Sequence, residues 1–278
     1  MEDLSGKQLG QYQLVAPLGE GGMAFVYKAY QPSMERYVAI KILPRHYAAE
    51  PDFIHRFKQE ARIIANLEHP NILPVYDYGE ADGYTYIVMR YIEGGKTLTN
   101  LMGGRPLPLA QMLNLLCKIA AALDYAHSRG VVHRDVKPSN VLIDQQGNIL
   151  LSDFGLAKVF ASSSKYTVSG AFLGTPAYAS PEQCLGRSDL DGRSDVYSLG
   201  VILYEMATGR PPFDAETPMA VAVKHINDPL PLPRKLNPAL PEIVERVILK
   251  ALAKQPGDRY QTAGEMARAL TEIITESG

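Results

Sequence analysis

The sequence contains few cysteines, only Cys117 and Cys184 among 278 residues. Cys117 falls within an amphipathic helical pattern and Cys184 within a predicted loop, and their spacing matches neither a disulfide framework nor a zinc site. We therefore expect two free thiols. Because structural disulfides are rare in reducing compartments, this composition favours such a compartment.

Long apolar runs and an excess of one charge are also absent from the sequence. No apolar stretch reaches the ~18 residues that a membrane-spanning helix needs, and the start, MEDLSGKQLGQYQL, lacks the apolar core of a signal peptide. The formal net charge is −2, so no general surface for polyanions is expected. We predict a cytoplasmic segment that binds no nucleic acid and makes no membrane contact.

Strand-forming segments dominate the chain up to about residue 90. One helical pattern interrupts them, and it places Glu60 in the middle of an apolar stripe that includes Phe57 and Ile64. A carboxylate in that position is costly unless it is paired, so Glu60 indicates a site. The predicted strands are 12–18, 25–30, 37–43, 72–78 and 84–91.

The second part of the chain is mainly helical in pattern. Helical periodicity marks residues 112–126 and 194–208, and the second segment is apolar on nearly every side, which predicts a buried central helix. The pair Thr262 and Glu265 predicts a capping box before a last helix. A small strand-rich lobe is therefore expected to join a larger helical lobe near residues 91–95.

A glycine-rich segment, Leu18-Gly19-Glu20-Gly21-Gly22, lies between two predicted strands. Glycine lets the backbone approach phosphates closely and direct its N–H groups at them. Such a segment can equally be an ordinary turn. Ala24 also stands where the pattern GxGxxGxV has its third glycine, so this segment alone decides little.

Lys41 shares one face of a predicted strand with Ala39. A single strand lysine is usually solvated, but the inward-facing Glu60 needs a cation. We therefore predict an ion pair between Lys41 and Glu60, with the ammonium group able to reach the α- and β-phosphates of a nucleotide.

The segment 132–140, VHRDVKPSN, concentrates polar and charged side chains between apolar runs. A predicted short hairpin, 141–151, follows and leads to Asp153-Phe154-Gly155. Asn140 and Asp153 offer the hard oxygen ligands that suit Mg²⁺. A merely solvated loop would explain neither the density of charge nor the second motif.

These motifs, in this order, resemble the eukaryotic-type protein kinase family over roughly residues 12–272. They are similar to bacterial serine/threonine kinases, including those that carry extracellular PASTA repeats. The set comprises the loop at 19–26, Lys41, His133-Arg134-Asp135, Asn140, Asp153-Phe154-Gly155, Ser180-Pro181-Glu182, Asp195 and Arg259.

The resemblance implies an α+β, bilobal protein kinase fold. An N-terminal lobe, 1–92, would hold an antiparallel β-sheet with one key helix, and residues 1–11 would form a tail. A mainly helical C-terminal lobe, 93–278, would complete the single kinase domain. Glu182 and Arg259 would pair inside the helical lobe, as a structural contact.

The resemblance further implies transfer of the ATP γ-phosphate to serine or threonine hydroxyls of proteins. Asp135 would orient the substrate hydroxyl and accept its proton, and Lys137 would neutralise charge on the γ-phosphoryl oxygens. Asn140 and Asp153 would hold Mg²⁺ or Mn²⁺. Lys41, with Glu60, would hold the α/β-phosphates. The residues implied to contact ATP besides Lys41 are Leu18, Gly19, Gly21, Gly22, Val26, Ala39, Met89, Tyr91, Ile92 and Leu142.

Residues 156–179 are rich in hydroxyl groups, which a flexible linker would also explain. The resemblance implies an activation loop that is autophosphorylated at Thr167, Ser169 or both. A phosphate there would neutralise converging cations and order the loop. The cations implied are Arg134, Lys158 and Arg56.

Two alternatives remain at this point. A pseudokinase-like scaffold would bind nucleotide without transferring phosphate, and a small-molecule phosphotransferase would share the nucleotide site. The resemblance favours protein substrates, and it implies a homodimer through the N-terminal lobe. It also implies that this segment can be the cytosolic domain of a larger membrane-anchored receptor kinase.

Overall fold

The computed structural model describes residues 3–21, 24–43, 51–154 and 176–276. Six strands of the described residues form one antiparallel sheet in the order β1-β2-β3-β4-β6-β5. Its apolar positions form a core that includes Tyr12, Ile40 and Val88. The strands are β1 (Gln8–Leu9), β2 (Tyr12–Gly21), β3 (Ala24–Gln31), β4 (Arg36–Ile42), β5 (Val75–Ala81) and β6 (Tyr84–Arg90).

The predicted strand 72–78 begins later than its sequence pattern suggests. β5 begins at Val75, and Ile72 makes only an isolated bridge to Leu151. Pro74 has no backbone N–H to donate to a ladder, so regular pairing starts after it. The other four predicted strands are confirmed.

The helix that interrupts the sheet, α1 (Pro51–Ala65), packs against β5. Phe57 and Ile64 are buried, as the apolar stripe predicts, and Glu60 is half-buried on the same helix. The N-terminal sheet lobe with one helix is therefore confirmed.

Helices dominate the rest of the described chain. A small sheet in the order β7-β8-β9 lies at the start of this lobe, and β8 and β9 form the predicted hairpin. The strands are β7 (Lys96–Thr97), β8 (Val141–Ile143) and β9 (Ile149–Leu151). The helices are α2 (Leu98–Met102), α3 (Leu109–Ser128), α4 (Pro181–Cys184), α5 (Gly192–Thr208), α6 (Pro218–Asn227), α7 (Pro233–Leu236), α8 (Glu242–Ala251) and α9 (Ala263–Glu276).

The predicted central helix is α5, and 13 of its 17 residues are buried. It packs against α3, α8 and α9, which explains why its sequence is apolar on nearly every side. Gly209 ends it with φ of +85°, a left-handed conformation that glycine adopts at little cost.

Local predictions elsewhere in this lobe are correct in part. Glu265 donates its N–H to the Thr262 hydroxyl at 3.0 Å, but its carboxylate accepts from the N–H of Gln261 rather than from that of Thr262. Cys117 and Cys184 are both free thiols, as expected. The placement of Cys184 in a loop was wrong, because the capping box of Ser180 begins a short helix there.

Candidate active site

The loop that carries Asp135 is anchored by Asp195, a fully buried residue of α5. Its carboxylate accepts the backbone N–H groups of His133 and Arg134, each at 2.8 Å. Arg134 has φ of +67°, which is unfavourable for a residue with a side chain, so these bonds hold a strained turn in place.

Asp195 also contacts His127 of α3, whose Nε2 lies 2.7 Å from the carboxylate. Burial alone would lower the pKa of His127, but the hydrogen bond and the charge of Asp195 raise it above its usual value. One buried carboxylate thus joins α3, α5 and the loop.

His133 connects this loop to the segment that carries Asp153. Its Nε2 lies 2.8 Å from the carbonyl of Ser152, while Nδ1 accepts the N–H of Asp135 at 3.2 Å. Because a carbonyl only accepts, Nε2 carries the proton. The imidazole also packs on Phe154 at a centroid distance of 4.5 Å, and Phe154 shares a hydrophobic core with Ile64 and Val75.

Asp135, Lys137 and Asn140 form one connected cluster. Lys137 Nζ lies 2.8 Å from Asp135 Oδ2. Asn140 Nδ2 donates to the same oxygen at 3.0 Å and to the Asp135 carbonyl at 2.8 Å. The backbone of Asn140 is fixed in turn, because its carbonyl accepts the N–H of Ser152 at 2.9 Å.

Lys41 of β4 forms an ion pair with Asp153, with Nζ and Oδ1 2.8 Å apart. Burial alone would raise the pKa of Asp153, but the charge and hydrogen bond of Lys41 lower it below its usual range. The half-buried carboxylate therefore stays ionised because the ammonium group compensates it.

The structure shows Asp153 as a partner of Lys41, whereas the sequence predicts Glu60. A Lys41–Glu60 contact stays a prediction for the working enzyme.

The strand register brings several of the predicted ATP-contacting residues together. Val26 lies opposite Lys41, and Ala39 lies opposite Met89. Since Ala39 and Lys41 are two residues apart in β4, these four side chains share one face of the sheet.

The remaining predicted contacts lie around the same sheet. Leu18 is exposed on β2, Tyr91 and Ile92 follow the end of β6, and Leu142 of β8 packs against the core. Gly19 and Gly21 belong to the β2–β3 pairing. Gly22 lies outside the described residues.

The segment that follows residue 175 also contacts the Asp135 loop. Gln183 accepts the N–H of Ser180 at 2.9 Å and donates its Nε2 to the carbonyl of Arg134 at 2.7 Å. Sequence reasoning missed Gln183. The capping-box spacing from Ser180 to Gln183 could have revealed the cap but not the contact with Arg134.

The predicted pair of Glu182 and Arg259 is confirmed. Two nitrogens of the guanidinium group donate to the two carboxylate oxygens at 2.7 and 2.8 Å. The Ser194 hydroxyl donates to the same carboxylate at 2.7 Å. Burial would raise the pKa of Glu182, but these bonds lower it.

Several predicted residues fall outside what the structure describes. Gly155, Lys158, Thr167 and Ser169 lie in the segment 155–175, and the side chain of Arg56 is likewise not described.

The bilobal fold and the cluster around Asp135 and Asp153 define a protein kinase. The chain belongs to the protein kinase domain family, whose model matches residues 12–270. It is 44% identical to the serine/threonine-protein kinase PrkC of Bacillus subtilis over 95% of this chain and 40% of that protein. It is 41% identical to the serine/threonine-protein kinase PknB of Mycobacterium leprae over 95% of this chain and 43% of that protein.

Solved structures agree with this assignment. The Mycobacterium tuberculosis PknI kinase domain is 34% identical to this chain, with a TM-score of 0.78, and the match covers 96% of this chain and 98% of that one. The chain thus spans about two-fifths of the length of the curated relatives but nearly all of this solved domain. Among the described residues, no helix is long and apolar enough to cross a membrane.

Proposed function

We propose that this domain transfers the γ-phosphate of ATP to serine or threonine hydroxyls of proteins. The observation that carries the proposal is the fixed carboxylate of Asp135. Its Oδ2 is held by Lys137 Nζ at 2.8 Å and Asn140 Nδ2 at 3.0 Å. A carboxylate oriented in this way can accept a proton from a substrate hydroxyl.

The roles of the neighbouring residues follow from charge. Both contacts to Asp135 use Oδ2, so we assign Oδ1 to the substrate hydroxyl. Lys137 carries its ammonium group beside this carboxylate and would neutralise charge on the transferred phosphoryl group. Lys41 and the predicted ATP contacts of β2–β4 and β6 would position the nucleotide. Nucleotide binding would thus use strands of the N-terminal sheet, and phosphoryl transfer would use the loop of Asp135.

The donor atoms of this site fit a divalent metal ion, and we propose Mg²⁺, with Mn²⁺ as a substitute. Asn140 donates through its amide nitrogen, which leaves Oδ1 as an oxygen ligand, and Asp153 adds an ionised carboxylate. A metal ion held by these two residues supplies neutralisation of the phosphate charge.

Phosphorylation at Thr167 and Ser169 is a further proposal for this site. Arg134 supports this proposal. Among the described residues, no ion pair joins its guanidinium group to a carboxylate. Its backbone is fixed by Asp195. A phosphate bound by Arg134 would therefore act directly on the loop of Asp135.

We also propose a homodimer through the N-terminal lobe and a place as the cytosolic part of a longer, membrane-anchored receptor kinase. Both rest on the similarity to bacterial relatives, of which this chain spans about two-fifths. Sedimentation with and without nucleotide tests the first, and a monomer at high concentration would remove it.

The decisive experiment compares Asp135→Asn with the parent. We expect transfer to a generic acceptor protein to fall by about 100-fold or more, because general base catalysis contributes at least that much. Nucleotide binding should be retained. Asp189→Asn, the same change at an exposed residue, serves as the control. Nucleotide binding by the parent without any transfer would instead identify a pseudokinase.

A further inference from the structure

His225 of α6 is fully buried and makes two hydrogen bonds with different parts of the fold. Its Nδ1 lies 2.9 Å from the Tyr197 hydroxyl of α5. Its Nε2 lies 3.1 Å from the carbonyl of Ala177. Neither partner belongs to the Asp135 cluster, so the proposed catalytic roles do not explain this residue.

These contacts define the protonation of His225. The Ala177 carbonyl only accepts, so Nε2 carries the proton and Nδ1 accepts from the Tyr197 hydroxyl. Burial, and then the charge of Lys254, lower the pKa of His225 to about 4. The ring is therefore neutral at neutral pH and keeps one donor and one acceptor.

The surroundings of His225 hold the ring in this orientation. Its ring centroid lies 4.9 Å from that of Phe213 and 5.7 Å from that of Tyr197. Lys254 donates to the carbonyl of His225 at 2.8 Å and so fastens the end of α6. The side chain that donates to Ala177 is therefore fixed in position.

Ala177 belongs to the segment 176–183, which borders the Asp135 loop. Glu182 anchors the C-terminal part of this segment through Arg259, and Gln183 binds the carbonyl of Arg134. At the N-terminal part, His225 binds Ala177 and Glu205 accepts from the Tyr178 hydroxyl at 2.6 Å. Ala177 and Tyr178 remain partly exposed. An acceptor polypeptide that reaches Asp135 would pass along this surface.

We propose that His225 is a positioning residue for the protein substrate: its bond to Ala177 holds the segment 176–183 where the acceptor polypeptide binds beside Asp135. This inference rests on the proposed kinase activity. It assigns His225 to acceptor binding and not to ATP binding or phosphoryl transfer itself.

Three substitutions separate this role from general packing. His225→Phe keeps an aromatic ring but leaves the Ala177 carbonyl without its donor and the Tyr197 hydroxyl without its acceptor. His225→Gln places an amide N–H near the position of Nε2 and can restore the bond to Ala177. His225→Asn reaches only the position of Nδ1 and can restore contact with Tyr197 alone. Val223→Ala, on the exposed face of α6, is the control.

The measurements are KM and kcat for an acceptor protein, KM for ATP, and amide hydrogen exchange of 176–183. Both the Phe and the Asn variant lose the bond to Ala177, so we expect each to raise the acceptor KM by about tenfold, which is about the contribution of one buried hydrogen bond. Their kcat and ATP KM should stay near the parent values, and exchange in 176–183 should increase. The Gln variant should stay close to the parent.

Equal behaviour of the Asn and Gln variants, or an unchanged acceptor KM in a folded Phe variant, would overturn the proposal. If the Phe variant does not fold, the comparison of Asn with Gln decides. A parent enzyme that transfers no phosphate would contradict the proposed function instead. Hydrogen exchange in the Asn and Gln variants would then still show whether His225 fixes the segment.

Discussion

Arg259→Ala should destabilise the helical lobe strongly, because the guanidinium group has no exposed surface and is fully used. Two of its hydrogen bonds reach Glu182, and the others reach the carbonyls of Ala253, Arg193 and Lys254. Alanine would leave a buried carboxylate and these carbonyls without their donors.

The expected loss is about 3–5 kcal/mol, the cost of removing one partner from a buried ion pair. At about 2–4 °C per kcal/mol for a domain of this size, Tm should fall by about 6–20 °C. Arg259→Lys keeps the charge but not the bidentate geometry, so its free energy of unfolding should lie between those of the parent and Arg259→Ala.

Thermal unfolding followed by circular dichroism measures these differences. Arg246→Ala, which removes an exposed arginine from α8, is the matched control and should change stability by no more than about 0.5 kcal/mol. An Arg259→Ala variant that unfolds within about 1 kcal/mol of this control would refute the reasoning.

The pH dependence gives a second check with a defined sign. The folded pKa of Glu182 lies below its ordinary value of 4.5, so the contribution of the ion pair is fully present above that value and is lost as pH falls through the folded pKa. The stability gap between parent and Arg259→Ala should therefore narrow in acid. A gap that widens as pH falls would contradict the assignment of Glu182 as the ionised partner.

Three further predictions concern activity. Lys41→Met should reduce transfer by about 100-fold or more in a protein that still folds, because the lost interaction with the phosphates is electrostatic; near-normal kcat would remove Lys41 from the site. Asp195→Ala should lower kcat at least about tenfold in a folded protein, since two backbone amides of the Asp135 loop lose a buried acceptor; an unchanged kcat would show that the loop keeps its conformation without Asp195. The double variant Thr167→Ala with Ser169→Ala should remain weakly active, with mass spectrometry of the active parent showing both phosphates; full activity of the variant would place the switch elsewhere.

The sequence predicts those parts of the fold that depend on local pattern. The burial of α5 and the apolar face of α1 follow from periodicity, and the β8–β9 hairpin follows from a turn between two apolar segments. The Glu182–Arg259 pair followed from family resemblance, and the structure confirms it.

Contacts that only the tertiary fold determines could not be predicted from the sequence. Lys41 could be matched to a carboxylate by charge, but which carboxylate it meets depends on where the chain brings Asp153. Gln183 looks like an ordinary capping residue until its amide is seen to reach Arg134. His225 lies in an unremarkable helical pattern, and its two bonds appear only when α5, α6 and Ala177 come together.

The central helix α5 contacts both the Asp135 loop and, directly and through His225, segment 176–183, and so fixes their relative positions. Asp195 binds the loop of Asp135, Tyr197 binds His225, and Glu205 binds Tyr178. Since these three residues belong to one rigid helix, the positions of Asp135, the proposed proton acceptor, and of segment 176–183 both depend on the position of α5. A substitution that tilts α5 should therefore impair acceptor binding and transfer together, whereas loss of the His225 bond should impair acceptor binding alone.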